Sequence, residues 1–190
     1  MPTPPRDATL AYSGGIRARW RWGGSGQAAE VFALSEAGGS LTDLGDLTGP
    51  DPDARCRAEL RVEAPGAAWT VRFASTIADH PAGVLWDTEG QLVVKFGFHA
   101  YGFQVRTGAL AWSHRSATPI LAVMASSRLR HVLVQSELET FAIEADGTVA
   151  WRIAHSDVVT GAAMVGGRLV LTSYSGQVND LDPATGRASA

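Results

Sequence analysis

Imidazoles and carboxylates carry most of the chemical latitude in this 190-residue chain. His80 follows Asp79, His99 and His114 come next, and His155 precedes Asp157 by two residues. Neutral imidazole nitrogens with a carboxylate suit zinc or a similar borderline divalent ion, and the same groups serve as general acid and base. These six residues are spread from 79 to 157, so only a fold that converges its loops can join them. Compact signatures are missing: there is no H-E-x-x-H, no G-x-S-x-G elbow and no phosphate loop. Gly24-Ser-Gly26-Gln-Ala-Ala29 matches G-x-G-x-x-A. A dinucleotide site would also need a buried parallel strand before it and a helix after it. Arg17-Ala-Arg19-Trp-Arg21-Trp22 alternates as a half-exposed antiparallel strand does, so a hairpin turn is the expected reading, with a helix over 27–37 as the alternative. In that strand Trp20 and Trp22 share a buried face, and Arg17, Arg19 and Arg21 share the solvated one. Cys56 sits between Arg55 and Arg57, which would depress its thiol pKa if exposed; as a strand residue it is instead an inert small hydrophobe. Lys95 is the single lysine and falls in a strand, its stem expected at the sheet surface, which leaves little for Schiff-base chemistry.

The elements that must position these groups come from an internal repeat. Gly108, Gly147 and Gly186 stand 39 residues apart, and so do Trp112 and Trp151. Ahead of each glycine lies an apolar run: Leu92 to Phe96, His131 to Gln135, and Leu169 to Thr172. One copy parses into strands at 120–123, 131–135, 139–143 and 149–153, with Asp146-Gly147 as a tight turn. Four short strands joined by turns make an antiparallel meander, and a period near 40 is the signature of propeller blades. Such a sheet has two faces to bury, so copies must pack on one another. In this arrangement His99 lies in a second-to-third-strand turn, while Asp79, His80, His114, His155 and Asp157 lie in or beside connections between blades. All six then fall on one rim, where binding residues usually sit; His131 falls elsewhere.

Fainter copies lie upstream. Ala8 to Tyr12, Ile16 to Trp22 and Val31 to Leu34 read as strands, separated by glycine-rich turns. They mirror the later series Gly161 to Val165, Arg168 to Thr172 and Val178 to Leu181. Cys56 to Glu63 and Ala68 to Ala74 form a hairpin around Pro65-Gly66, and Leu44 to Asp53 is the clearest loop. The expected organisation is 1–76 as a divergent β region and 77–190 as the repeat region, within one continuous domain. The last copy stops before its fourth strand, so the edge at Val178 to Leu181 is expected to be covered by an N-terminal segment or by a second copy of the chain.

Thr107-Gly108-x-x-x-Trp112, Asp146-Gly147-x-x-x-Trp151 and Asp182-x-x-Thr185-Gly186 resemble the repeats of quinoprotein-type (PQQ-like) β-propellers, across 82–187. The resemblance implies radially arranged four-stranded blades with each tryptophan packed between neighbours. It does not carry the quinone with it. Quinoprotein dehydrogenases of this kind bind their cofactor with an adjacent cysteine pair, and Cys56 has no partner. The same repeat builds adaptors and scaffolds without catalysis.

Composition narrows the classes further. Sixteen basic and 19 acidic residues give a net charge of −3, and 45% of the chain is apolar, which fits a folded protein rather than a disordered or nucleic-acid-binding one. The start lacks an apolar signal-peptide core, and the uncharged stretch 117–127 is too short to span a bilayer. One cysteine fits a reducing compartment. The expectation is therefore an all-β, small or incomplete propeller of four to five blades, with a curved β-sandwich as the alternative. Its expected function is a non-catalytic cytoplasmic module that binds a protein or ligand, without cofactor, nucleic acid or membrane. Two alternatives remain open: a small hydrolase or lyase using a metal on the His/Asp rim, and a bacterial protein that neutralises a partner toxin.

Overall fold

The computed structural model describes residues 4–24, 28–45 and 56–188. Its strands are β1 (Arg6–Tyr12), β2 (Ile16–Gly23), β3 (Ser40–Gly45), β4 (Cys56–Ala64), β5 (Ala67–Ser75), β6 (Ala82–Trp86), β7 (Gln91–Phe96), β8 (His99–Gln104) and β9 (Leu110–Arg115). They continue as β10 (Ile120–Met124), β11 (Val132–Ser136), β12 (Glu139–Ile143), β13 (Val149–Ala154), β14 (Val159–Val165), β15 (Arg168–Ser173) and β16 (Val178–Leu181). The α-helix α1 (Ala28–Val31) is a single turn that runs into a 3-10 segment, Phe32–Ala37. The fold is all-β, built of four blade-like sheets. Two compact units divide the chain, one of residues 1–81 with 103–110 and the other of 82–102 with 111–190.

The first unit holds a five-stranded sheet in the order β1-β2-β4-β5-β3. In β2 the alternation holds over Ile16, Ala18 and Trp20, which are buried, and Arg17 and Arg19, which are exposed; Arg21 and Trp22 are both half-buried, so Trp22 departs from the buried face expected for it. The β4–β5 hairpin turns at Pro65-Gly66, where Gly66 holds φ +78°. Two expectations are corrected here. Val31 to Leu34 is helical, because it covers a sheet face instead of joining a ladder. Leu44 and Gly45 belong to β3, which runs parallel to β5, while the remainder of the expected loop, 46–53, lies outside the described residues.

The helical segment answers a need created by β4. Ala58, Leu60 and Val62 are buried on one face of that strand, and Arg57, Glu59 and Arg61 are buried on the other. The Glu59 carboxylate accepts the backbone N–H groups of Leu34 at 2.6 Å and Ser35 at 2.9 Å, and meets Arg72 at 3.5 Å. Arg61 donates to the Gly38 carbonyl at 2.5 Å. A buried charge is tolerated only with such partners. The dinucleotide reading does not survive: β2 lies antiparallel to both neighbours, and α1 has four residues. Residues 25–27 of that motif lie outside the described residues.

The second unit holds sheets β10-β11-β12-β13 and β14-β15-β16 and most of β6-β7-β8-β9, whose residues 103, 104 and 110 belong to the first. The repeat extends to fine detail. A register shift between Ile120 and Ala122 in β10 recurs between Val159 and Gly161 in β14. Each connection hooks onto the turn of the preceding sheet: Ser116 N–H donates to Phe98 O and Ile120 N–H to Gly97 O, as His155 does to Leu138 and Val159 to Glu137. One core packs Trp86, Val93, Trp112, Ile120, Val134 and Phe141; a second packs Leu133, Ala142, Leu169, Leu171 and Leu181, with Trp151 and Ile153 against it. Lys95 is buried in β7, a correction to its expected place at the sheet surface.

The repeat glycines and tryptophans meet across copies. A Cβ on Gly147 would stand 2.5 Å from Trp112 Cβ, and one on Gly186 would stand 2.7 Å from Trp151 Cε3. Within the first unit, a Cβ on Gly108 would stand 2.6 Å from Trp69 Cγ. All three glycines also adopt positive φ, between +70° and +91°. Only a residue without a side chain satisfies both demands.

Candidate functional site

Each residue of the expected rim is engaged close to home. In the first unit, Asp79 accepts the backbone N–H of His80 at 2.8 Å, and the His80 ring lies 2.6 Å from Arg6 and edge-on to Trp22. In the second, His99 opens β8 and stacks on Tyr101 at 5.7 Å between ring centroids. His114 tilts against Phe141 at 4.4 Å with its Nε2 buried and unpaired. Burial, then the Arg152 charge, holds its pKa below the ordinary value. His155 Nε2 lies 2.7 Å from Thr140 Oγ1, and burial lowers its pKa as well. Hydrogen bonds from the Ser175 hydroxyl and N–H, then from Ser173, bring Asp157 down to about 2. Asp157 thus staples the β13–β14 connection to the turn before β16. Among the described residues no group of three or more His, Cys, Asp or Glu stands where it could hold a metal ion. Burial raises the Cys56 thiol pKa against the opposing pull of Arg57, which makes it a poor nucleophile at neutral pH.

Two clefts in the second unit occupy equivalent places in successive copies. One, of about 280 Å³, is lined by His114 of β9 and by Glu139, Phe141 and Arg152 of the next sheet. Arg152 closes that wall: it pairs with Glu139 and lies over the Phe141 ring at 5.3 Å. The other, of about 220 Å³, is lined by Ile153 and His155 on one side and by Leu171, Gln177, Asn179 and Leu181 on the other. Gln177 and Asn179 stand where Glu139 and Phe141 stand one copy earlier. Among the described residues the counterpart of Arg152 is not present, because the pairing that begins β13 at Val149 begins here at Ala188. Beyond β16 the described residues offer only an isolated bridge between Leu181 and Ala188.

This open edge carries exposed apolar side chains: Tyr174 is 82% exposed, Val178 64% and, nearby in the sheet, Val165 57%. Among the described residues the sheet of β16 holds only β14, β15 and β16. A strand edge of this kind offers a row of main-chain hydrogen-bonding groups to another strand. Sequence reasoning reached the edge itself. It missed Trp69, Glu59 and Gln91, whose side chain accepts from Trp112 Nε1 at 2.9 Å and donates to Ala145 O at 2.7 Å.

No protein-family model and no curated protein matches the sequence. Solved structures do. The computationally designed Ika8 protein aligns over 97% of this chain at 13% identity with a TM-score of 0.57. HIRA(644-1017) aligns over 100% of it at 11% identity and 0.52, and the dihydro-heme d1 dehydrogenase NirN, in complex with DHE, over 80% at 16% and 0.52. The chain spans 60%, 53% and 35% of those three chains, respectively. At these identities the likeness concerns the fold alone, which is of the β-propeller kind.

Proposed function

We propose that this chain is a non-catalytic, cytoplasmic protein-interaction module of PQQ-like repeats, which takes an extended strand from a partner protein along β16. The observation that carries the reading is the outer edge of β16, which among the described residues pairs only at Leu181 with Ala188 and lies beside a cleft of about 220 Å³. The partner's chemistry follows from the repeat. Arg152 faces Phe141 and the Glu139 carboxylate in the closed copy, whereas the open copy presents the neutral amides of Asn179 and Gln177. The strand that fits sets an uncharged, hydrogen-bonding side chain over Asn179 and apolar side chains beside Val178 and Tyr174. Main-chain bonds supply affinity in such additions, and the alternate side chains supply choice.

The test is capture followed by cross-link mapping. Wild type and a remote control, Arg17→Glu, are expected to retain one partner with cross-links to 174–181. Val178→Lys, a charge on the edge, is expected to lose it. Retention by Val178→Lys, or cross-links confined to other strands, contradicts the reading. A dimer that forms with concentration and is abolished by Val178→Lys would make a second copy of the chain the occupant instead.

A further inference from the structure

The second unit carries an apolar cavity of about 520 Å³ that the strand-addition reading does not use. It opens along the first strands of the three sheets, with Val84 from β6, Val123 and Met124 from β10, and Met164 from β14 in its wall. Leu129 and the small residues Ala162 and Ala163 complete the apolar lining. Met124 and Met164 are the two methionines of the chain besides Met1, and both line this cavity. Flexible, polarizable thioethers conform to varied apolar shapes, which suits them to binding surfaces. The volume lies within the roughly 300–1,000 Å³ of pockets that hold one small molecule.

Charge is placed at one point only. Arg128 is the single ionisable side chain in the lining, and among the described residues no carboxylate pairs with it. Its backbone N–H donates to Ser126 Oγ at 3.2 Å, in a turn closed by Leu129 N–H to Ser126 O at 3.0 Å. The turn fixes the backbone of the exposed Arg128 beside a wall that is otherwise uncharged. A guanidinium presents a planar fork of donors that matches a carboxylate, sulfonate or phosphate group. We infer that this cavity binds a single small amphipathic anion, its apolar body between Met124 and Met164 and its charged head on Arg128.

Isotope-labelled methionine methyls give a readout that needs no variant. Dodecanoate, added below its micelle concentration, is expected to shift the Met124 and Met164 methyl signals saturably while leaving Met1 in place. Anilinonaphthalene sulfonate is expected to bind one-to-one, and uncharged phenylnaphthylamine to bind the same cavity. Arg128→Gln alters an exposed side chain and is expected to weaken the sulfonate probe by up to about fivefold, the upper end for one solvent-exposed ion pair, with the neutral probe unchanged. Ala163→Trp fills the wall and is expected to abolish both. The inference falls if neither methyl moves, if Arg128→Gln weakens both probes equally, or if Ala163→Trp folds and leaves binding intact. Methyl shifts produced by anionic-lipid vesicles and not by free dodecanoate would also overturn it, since the occupant would then be a membrane surface.

Discussion

Trp112 is held between two glycines from different sheets: a Cβ on Gly102 would stand 2.2 Å from its Nε1, and one on Gly147 would stand 2.5 Å from its Cβ. Trp112→Ala is expected to cost about 3–5 kcal/mol, as loss of a large buried aromatic does. Gly102→Ala is expected to cost about 2 kcal/mol or more, from collision with the indole Nε1 and Cε2. In the Trp112→Ala background the indole is gone, so the Gly102→Ala penalty is expected to shrink by about 1 kcal/mol or more. Denaturant unfolding of the four proteins measures this coupling, and strict additivity would contradict the contact. The spacing of these residues was plain in the sequence, but the pairing was not. Gly108 and Trp112 stand four apart, yet each glycine meets the tryptophan of the preceding copy. Trp69 stayed hidden because its partner, Gly108, stands 39 residues downstream of it. The histidines add a pH dependence. His114 and His155 have lowered pKa values in the fold, so below their ordinary value near 6.5 the unfolded chain binds more protons. Stability is expected to be flat above that pH and to fall as pH drops through it towards the lowered values. The lowered carboxylates, such as Asp157, act only at lower pH, between about 4 and 2. Urea midpoints measured from about pH 7.5 to about 5.5 should therefore decline in wild type and flatten in a His114→Asn, His155→Asn double variant. An equal decline in both proteins would assign the effect to other groups.

At the scale of elements, β4 and β5 depend on the segment that covers their polar face. Glu59→Ala leaves the N–H groups of Leu34 and Ser35 and the Arg72 guanidinium without their shared acceptor. It is expected to cost about 2–4 kcal/mol, the range for breaking a buried charged network, and to make residues 28–38 sensitive to protease well below the melting temperature. Unchanged melting and an intact segment would show that the carboxylate does not hold it. The sheet β10-β11-β12-β13 was legible almost residue by residue, because alternation and turn glycines are local signals. β12 spans Glu139–Ile143 where the sequence placed 139–143, and β10 extends one residue past the expected 120–123. The first sheet was legible only as hairpins. Val31-Phe-Ala-Leu34 is a short apolar run whose periodicity cannot separate strand from helix. What decides it is Glu59, 25 residues beyond Leu34, which draws the segment's N–H groups onto the sheet. β3 pairs in parallel with β5 across the same gap, a choice that no local pattern in Ser40–Gly45 announces.

At the scale of the molecule, copies that pack their tryptophans and glycines on one another leave function to what the repeat does not complete. Among the described residues the sheet of β16 has three strands where β6-β7-β8-β9 and β10-β11-β12-β13 have four, which was legible in the sequence because the repeat is counted by its glycines. The measurement that tests the central claim is amide hydrogen exchange of the chain with and without a synthetic strand. The strand is the chain's own fourth-strand segment, 148–155, with Arg152 replaced by Gln to suit the neutral amides of Asn179 and Gln177. The account expects the amides of β16 to gain protection as the peptide is added, with Val178→Lys abolishing the gain and the other strands unchanged. Exchange in β16 that does not respond to the peptide at any concentration, or protection that appears equally in Val178→Lys, would contradict it.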